Sequence, residues 1–165
     1  MKMMTKEIEK VLGKYPMYSQ EGLMGDAKVV CKFFDPSSAW TWYVTEGQQL
    51  ATTGDWEFFG LVRGLEWEWG YFRLSDIVGA RGHVDVMTPS GLVSYGGIQM
   101  ERDRWLSPGK MTVAEVVRSD YGDCPEILLN PHAAHVEEVS IDASADVQYE
   151  PETWTAAGAG QQVLF

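Results

Sequence analysis

Four glutamates, Glu46, Glu66, Glu68 and Glu101, lie in or beside runs rich in Trp, Tyr and Phe. Two carboxylates held close together on neighbouring strands shift each other's protonation, and such a pair can work as general acid and base. Glu66, Glu68 and Glu101 are therefore the candidate catalytic residues of a small carboxylate-dependent enzyme with a cleft lined by Trp and Tyr. The competing reading is structural. Glu68 and Glu101 would meet Arg73, Arg81 or Arg102 in ion pairs, and no positioned nucleophile accompanies the acids. His132 and His135 stand three residues apart, with Asp120, Asp123, Glu137 and Glu138 nearby. One helical turn would present both imidazoles to one metal ion. Zinc would still need two more ligands, and Asn130-Pro131 marks a loop or a helix start. Cys31 and Cys124 provide neither a disulfide framework nor zinc spacing, and Cys31 reads as a small core residue. Nothing has the form of a phosphate loop, a nucleophile elbow or a Cys/His pair. No cofactor is expected.

The elements that would position these residues follow from alternation and turn chemistry. Residues 5–12 read as a helix with Thr5 at its N-cap, Glu7 and Glu9 near its positive end, and Ile8, Val11 and Leu12 as its apolar stripe. Gly13 and Pro16 end it, and residues 17–26 read as a loop. Residues 27–34 read as a strand, and Asp35-Pro36-Ser37-Ser38 as a turn. Residues 40–45 and 56–63 are two further strands joined by a polar loop over 46–55. Gly64 then allows a tight reversal into residues 67–72. Residues two apart in a strand share a face, so Trp40 and Trp42 point one way. Trp67, Trp69 and Tyr71 likewise share a face, and Glu66 and Glu68 point oppositely.

Ser75-Asp76 reads as the cap of a helical turn through Val78. The Gly-rich residues 81–97 form an irregular insertion or a small hairpin, and residues 98–105 another strand. Thr112 and Glu115 have capping-box spacing, which opens a helix through about Ser119. The fold class is α+β: one antiparallel sheet of about five strands, with flanking short helices and an acidic C-terminal extension. Residues 1–119 make the domain, residues 120–165 the extension. The aromatic side chains, Trp42, Trp69 and Phe72 among them, are expected to pack between the sheet and the helices.

Charge narrows the partners. All 13 Lys and Arg residues lie at or before Arg118, against 15 acids in residues 1–119, which leaves about −2 there. Residues 120–165 hold nine acids and no Lys or Arg. Neither part offers the basic surface that neutralises phosphates, so nucleic acid is not an expected partner. No apolar run approaches the roughly 20 residues of a membrane helix, and residues 1–6 lack a signal-peptide core. The expected location is the cytoplasm of a bacterial host cell, with no membrane association.

Five segments together resemble a known group of sequences. They are Val30-Cys31-Lys32-Phe33-Phe34, Trp40-Thr41-Trp42-Tyr43, Phe59-Gly60-Leu61-Val62, Glu66-Trp67-Glu68-Trp69-Gly70-Tyr71-Phe72, and Glu101-Arg102-Asp103. Their order resembles an uncharacterised domain-of-unknown-function family of plasmids, integrative elements and phages. The likeness covers roughly residues 3–113 and departs at residues 83–97 and after Ser119. It implies a mobile-element origin and carries no chemistry.

The last five residues, Gln161-Gln162-Val163-Leu164-Phe165, resemble the short peptide with which bacterial replication and repair proteins dock on the DNA sliding clamp. Gln161, Leu164 and Phe165 match that pattern, while Gln162 departs from its apolar second position. The preceding residues 156–160 read as a flexible spacer. Docking on the clamp, docking on another protein, and packing on the chain's own core or no role at all are the alternatives for this tip. The function expected is that of a non-enzymatic phage or plasmid accessory protein that binds a host or element-encoded protein. Its acidic end suits an inhibitor of host defence that mimics nucleic-acid charge.

Overall fold

Helix α1, Lys6–Leu12, begins where the Thr5 side chain accepts the Ile8 N–H at 3.3 Å. Glu7 and Glu9 sit at its positive end and Lys10 at its negative end, which suits the helix dipole. Its buried residues Ile8 and Leu12 lie against a sheet. The structure is a computed structural model and describes residues 2–130. Strands β1 (Cys31–Phe34), β2 (Thr41–Gln49), β3 (Trp56–Arg63) and β4 (Trp67–Arg73) form an antiparallel meander. Helix α2 (Leu74–Gly79) leads to a separate ribbon of β5 (Arg81–Thr88) and β6 (Gly91–Gln99). Strand β7 (Glu101–Arg102) returns to the far side of β1, so the sheet order is β4-β3-β2-β1-β7. The protein is α+β, with this five-stranded antiparallel sheet and the two-stranded ribbon.

Both faces of the sheet are covered. One carries Phe33, Val44 and Phe58 with α1 and Ile77 of α2. On the other, Tyr43 and Leu61 meet helix α3 (Val113–Asp120), and Leu129 of helix α4 (Glu126–Leu129) belongs to the same cluster. Phe33 of β1 and Phe58 of β3 lie 5.9 Å apart across β2, and Phe58 and Phe72 of β4 5.8 Å, so the rings link β1, β3 and β4. Close approach of β2 and β3 requires Gly60, since a Cβ there would run into the Tyr43 carbonyl. Helix α3 opens with the expected capping box. The Glu115 carboxylate accepts the Thr112 N–H at 2.7 Å and the Thr112 hydroxyl accepts the Glu115 N–H at 3.2 Å.

Several boundaries differ from the expectation, each for a local reason. Residues 27–30 are not a strand of the sheet, because Val29 N–H donates to Met111 and Lys28 bridges Thr112. β2 runs on to Gln49 through a bulge between Val44 and Glu46, so Glu46 is in a strand and not in a loop. Ser75 caps nothing: its N–H and hydroxyl both donate to Asp55. For residues 81–97 the small hairpin is the alternative observed, with a register shift between Gly82 and His83. The strand expected over 98–105 stops at Arg102, because the Asp103 carboxylate takes the N–H groups of Trp105 and Leu106 and turns the chain.

The tryptophans also sit differently. Trp42, Trp69 and Phe72 are only half-buried, and the fully enclosed rings are Tyr43, Phe33 and Phe58. Trp42, Trp56 and Phe72 pack against the first cluster, and Trp67 and Trp69 against the second. Finally, the packed body continues past residue 119. Among the nine acids after that point, Asp120 pairs with Lys32, Asp123 with Arg63, and Glu126 with Arg118.

Phe58→Ala is expected to lower stability by about 3–5 kcal/mol. Leu92→Ser, on the exposed ribbon, should shift it by less than about 0.5 kcal/mol. Urea denaturation of the two variants checks both values.

Candidate functional site

Two depressions open on the α3 side of the sheet. The first is a cleft of about 480 Å³ that includes Lys32, Thr41, Glu101, Asp103, Trp105, Asp120 and Tyr121 in its lining. At its floor the Lys32 ammonium sits between Asp103 at 2.9 Å and Asp120 at 2.8 Å. The Tyr43 hydroxyl donates to Asp120 at 3.0 Å, and the Thr41 and Tyr121 hydroxyls lie 3.0 Å apart. Arg63 lies over the Tyr121 ring at 4.0 Å and holds Asp123 at 3.1 Å. Burial disfavours the charged Lys32, but the hydrogen bonds and charges of Asp120 and Asp103 outweigh it and hold its pKa above the usual value. Burial works against ionised Asp103 in the same way, and the bonds from Lys32 and from the Trp105 and Leu106 N–H groups hold it low. Burial, and then the Asp120 charge, push the Tyr43 phenol far up. This network joins β1, β2, α3 and the turn after β7, and its carboxylates are already neutralised.

The second depression, about 280 Å³, is built on the bulge in β2. Without a bulge Glu46 would share a face with Val44. The extra residue instead pairs it with Phe59, so the two side chains share a face. Glu46 is 2% exposed. Its carboxylate accepts the N–H groups of Tyr18 and Gln20, each at 2.6 Å. The Gln20 amide donates to Thr45 O at 2.7 Å and Lys28 O at 3.0 Å, and its oxygen accepts Lys28 N–H at 2.6 Å. These bonds bind residues 18–20 to the sheet and make them one wall. Phe59, Trp69 and Tyr71 make another, with centroids 5.8 Å (Phe59–Trp69) and 4.9 Å (Phe59–Tyr71) apart. Trp69 is fixed by its indole N–H, which donates to Leu128 O at 2.9 Å. Lost hydration, the Tyr18 phenol and the Glu46 and Glu21 carboxylates together raise the Tyr71 pKa.

The residues singled out in the sequence are distributed as follows. Glu66 and Glu68 are exposed, the first in the β3–β4 turn and the second on β4. Glu101 is on β7, at the opposite edge of the sheet. Four strand spacings of about 4.8 Å separate β4 from β7, roughly 19 Å. Glu68 faces the side of Val62 and Glu101 the side of Phe34, which are opposite faces. The three carboxylates are therefore not brought together. Arg73 reaches Glu57, at 3.9 Å, rather than Glu68. Burial pushes the Cys31 thiol far up, and burial with the charges of Asp123 and Glu126 pushes Cys124 up to about 11. Neither is a ready thiolate at neutral pH.

Asp120 and Asp123 are held by Lys32 and Arg63. His132 and His135 lie outside the described residues, as do Gln161, Leu164 and Phe165. Among the described residues no group of three or more His, Cys, Asp or Glu side chains is arranged to hold a metal ion. Nor is any of their helices long and apolar enough to cross a membrane. Sequence reasoning missed the Glu46 pocket. The signal available was an acid two residues beyond a buried Val in an aromatic run, which a bulge turns over. No protein-family model, curated protein or solved structure matches the chain.

Lys32→Met should cost about 1–3 kcal/mol near neutral pH by leaving two half-buried aspartates unpaired. Asp103 has a depressed pKa in the folded state, so its contribution is present above the unfolded value of about 3.9 and lost as pH falls through the lower folded value. Lys32 has a raised pKa, so its contribution is full below about 10.4 and lost as pH rises beyond that. The gap between wild type and variant should thus be widest between these limits and close in strong acid. Denaturation midpoints across pH check it.

Proposed function

We propose that this chain is a non-enzymatic accessory protein of a phage or plasmid that acts by binding another protein. The observation that carries the reading is the β5–β6 ribbon. Val84 pairs with Tyr95, Val86 with Val93 and Met87 with Leu92, and all six side chains are exposed. The ribbon pairs with no other strand of the described residues, so its outer edges are open to added strands. In a chain of net charge −11, residues 82–100 contain one acid, Asp85, and no Lys or Arg. An apolar, nearly neutral arm on an acidic body is where a protein partner meets least desolvation and repulsion. The mobile-element origin rests on the sequence resemblance.

The bacterial sliding clamp is the partner favoured by Gln161, Leu164 and Phe165, with the ribbon as a second contact that raises effective concentration. Burying Leu164 and Phe165 contributes about 3–6 kcal/mol before ordering costs, so the tip alone should bind only modestly. Titration calorimetry with purified clamp should show binding by the full chain. Deletion of residues 161–165 should abolish it with the melting temperature unchanged, and Val86→Ser with Val93→Ser should weaken it. Absence of binding by the full chain removes the clamp as partner. A melting temperature lowered by the deletion places the tip in the protein's own core.

A further inference from the structure

We propose that the pocket beside Glu46 is a binding site for a quaternary or methylated ammonium group. The inference stands apart from the ribbon and the C-terminal tip, and neither is needed for it.

Its walls are aromatic. Phe59, Trp69 and Tyr71 run across β3 and β4 as one patch, Phe59 stacked on Trp69 and tilted against Tyr71, and Tyr18 lines the same space from the loop. Aromatic faces carry negative quadrupole potential and attract a cation within about 6 Å of the ring centroid. Two carboxylates, Glu46 at the base and Glu21 at the rim, line the same space, and no Lys or Arg does. Aromatic rings backed by acids favour a cation over an anion or a neutral group. The rings also discriminate between cations. Two acceptor positions of the Glu46 carboxylate are taken by backbone N–H groups. A methylated head group needs fewer hydrogen bonds than a bare ammonium and has a larger apolar surface for the rings.

Backbone strain marks the same place. Tyr18 at φ 70° and Met24 at φ 46° are the non-glycine residues with positive φ among the described residues, and both line this pocket. Such conformations are costly and persist where surrounding structure holds them. At Tyr18 the bond to Glu46 does the holding. Strain confined to one pocket's wall is the pattern of a site shaped before its ligand arrives. The volume of about 280 Å³ accommodates a trimethylammonium head with part of its carbon chain.

The test uses the full chain, isotope-labelled, with choline as probe and the Trp69 indole signal followed by NMR. Choline should shift that signal saturably. The uncharged isostere, with carbon in place of the quaternary nitrogen, should bind at least about tenfold more weakly. Tyr71 is 58% exposed and Glu21 is at the rim, so Tyr71→Leu and Glu21→Gln should fold normally, and each should lower choline affinity. A short peptide carrying trimethyl-lysine separates the sources: tighter binding than choline assigns a protein side chain, and equal binding a free small molecule. Equal affinity for choline and its isostere would show a merely apolar pocket and overturn the proposal. An unmoved Trp69 signal, or unchanged affinity in both variants, would overturn it as well.

Discussion

A one-residue bulge in β2 is the constraint on which much of this molecule's surface depends. It lets Val44 face α1 while Glu46, two residues on, faces the aromatic side of the sheet. A carboxylate buried there needs donors, and the nearest are the backbone N–H groups of Tyr18 and Gln20. Meeting that need fastens residues 18–20 to the sheet, which positions Gln20 to take up the carbonyls of Thr45 and Lys28. Loss of regular pairing at the bulge and the burial of an acid therefore compensate each other. The left-handed Tyr18 belongs to the same arrangement, since two N–H groups two residues apart converge on one side chain.

Much of the architecture is legible in the amino-acid order because several signals agree. Trp56–Arg63 is rich in aromatic and apolar residues and is a strand over that span, and Thr112 with Glu115 forms the capping box its spacing implies. Thr5 caps α1 as expected. Where competing bonds decide, local patterns fail. Ser75 had the composition of a cap, but Asp55, twenty residues away, accepts both its donors. Asp103 looked like one of several alternating charges and is instead the residue that ends β7. The strand pattern over 27–30 is real in its burial, with Val29 and Val30 enclosed, yet Ala27 and Val29 bond the segment leading into α3 and only Val30 reaches β2, at Val44.

The sites were less legible than the fold. Glu46 was recognised as an acid in aromatic company, but polar residues after it resemble a loop, and a bulge leaves no mark in composition. The Lys32 network joins residues 32, 43, 103 and 120, which are distant in sequence and meet only through the sheet order. Conversely, Glu68 and Glu101 were plausible partners while strand order was unknown. Once β4 and β7 occupy opposite edges, they cannot share a substrate. Chemistry that depends on non-local pairing is hidden from spacing alone.

The ribbon raises the question of how an exposed hairpin keeps a fixed direction. Two strands alone are marginal in water, so its order must come from its base. There Gly82 packs against Asp35 and Ser37, and a Cβ at that position would collide with the carboxylate and hydroxyl. Asp35 is itself immobilised, accepting Ser37 N–H at 2.8 Å, the Ser37 hydroxyl at 2.6 Å and the Ser38 hydroxyl at 2.8 Å. Burial opposes its charge, but these bonds and the nearby His83 hold its pKa below the usual value, so the acceptor stays ionised. On the other strand at the same base, Met100, just past Gln99, is buried in the core cluster with α1. The arm is thus clamped by a polar knot on one strand and an apolar anchor on the other. Its exposed side chains are held in place without being covered.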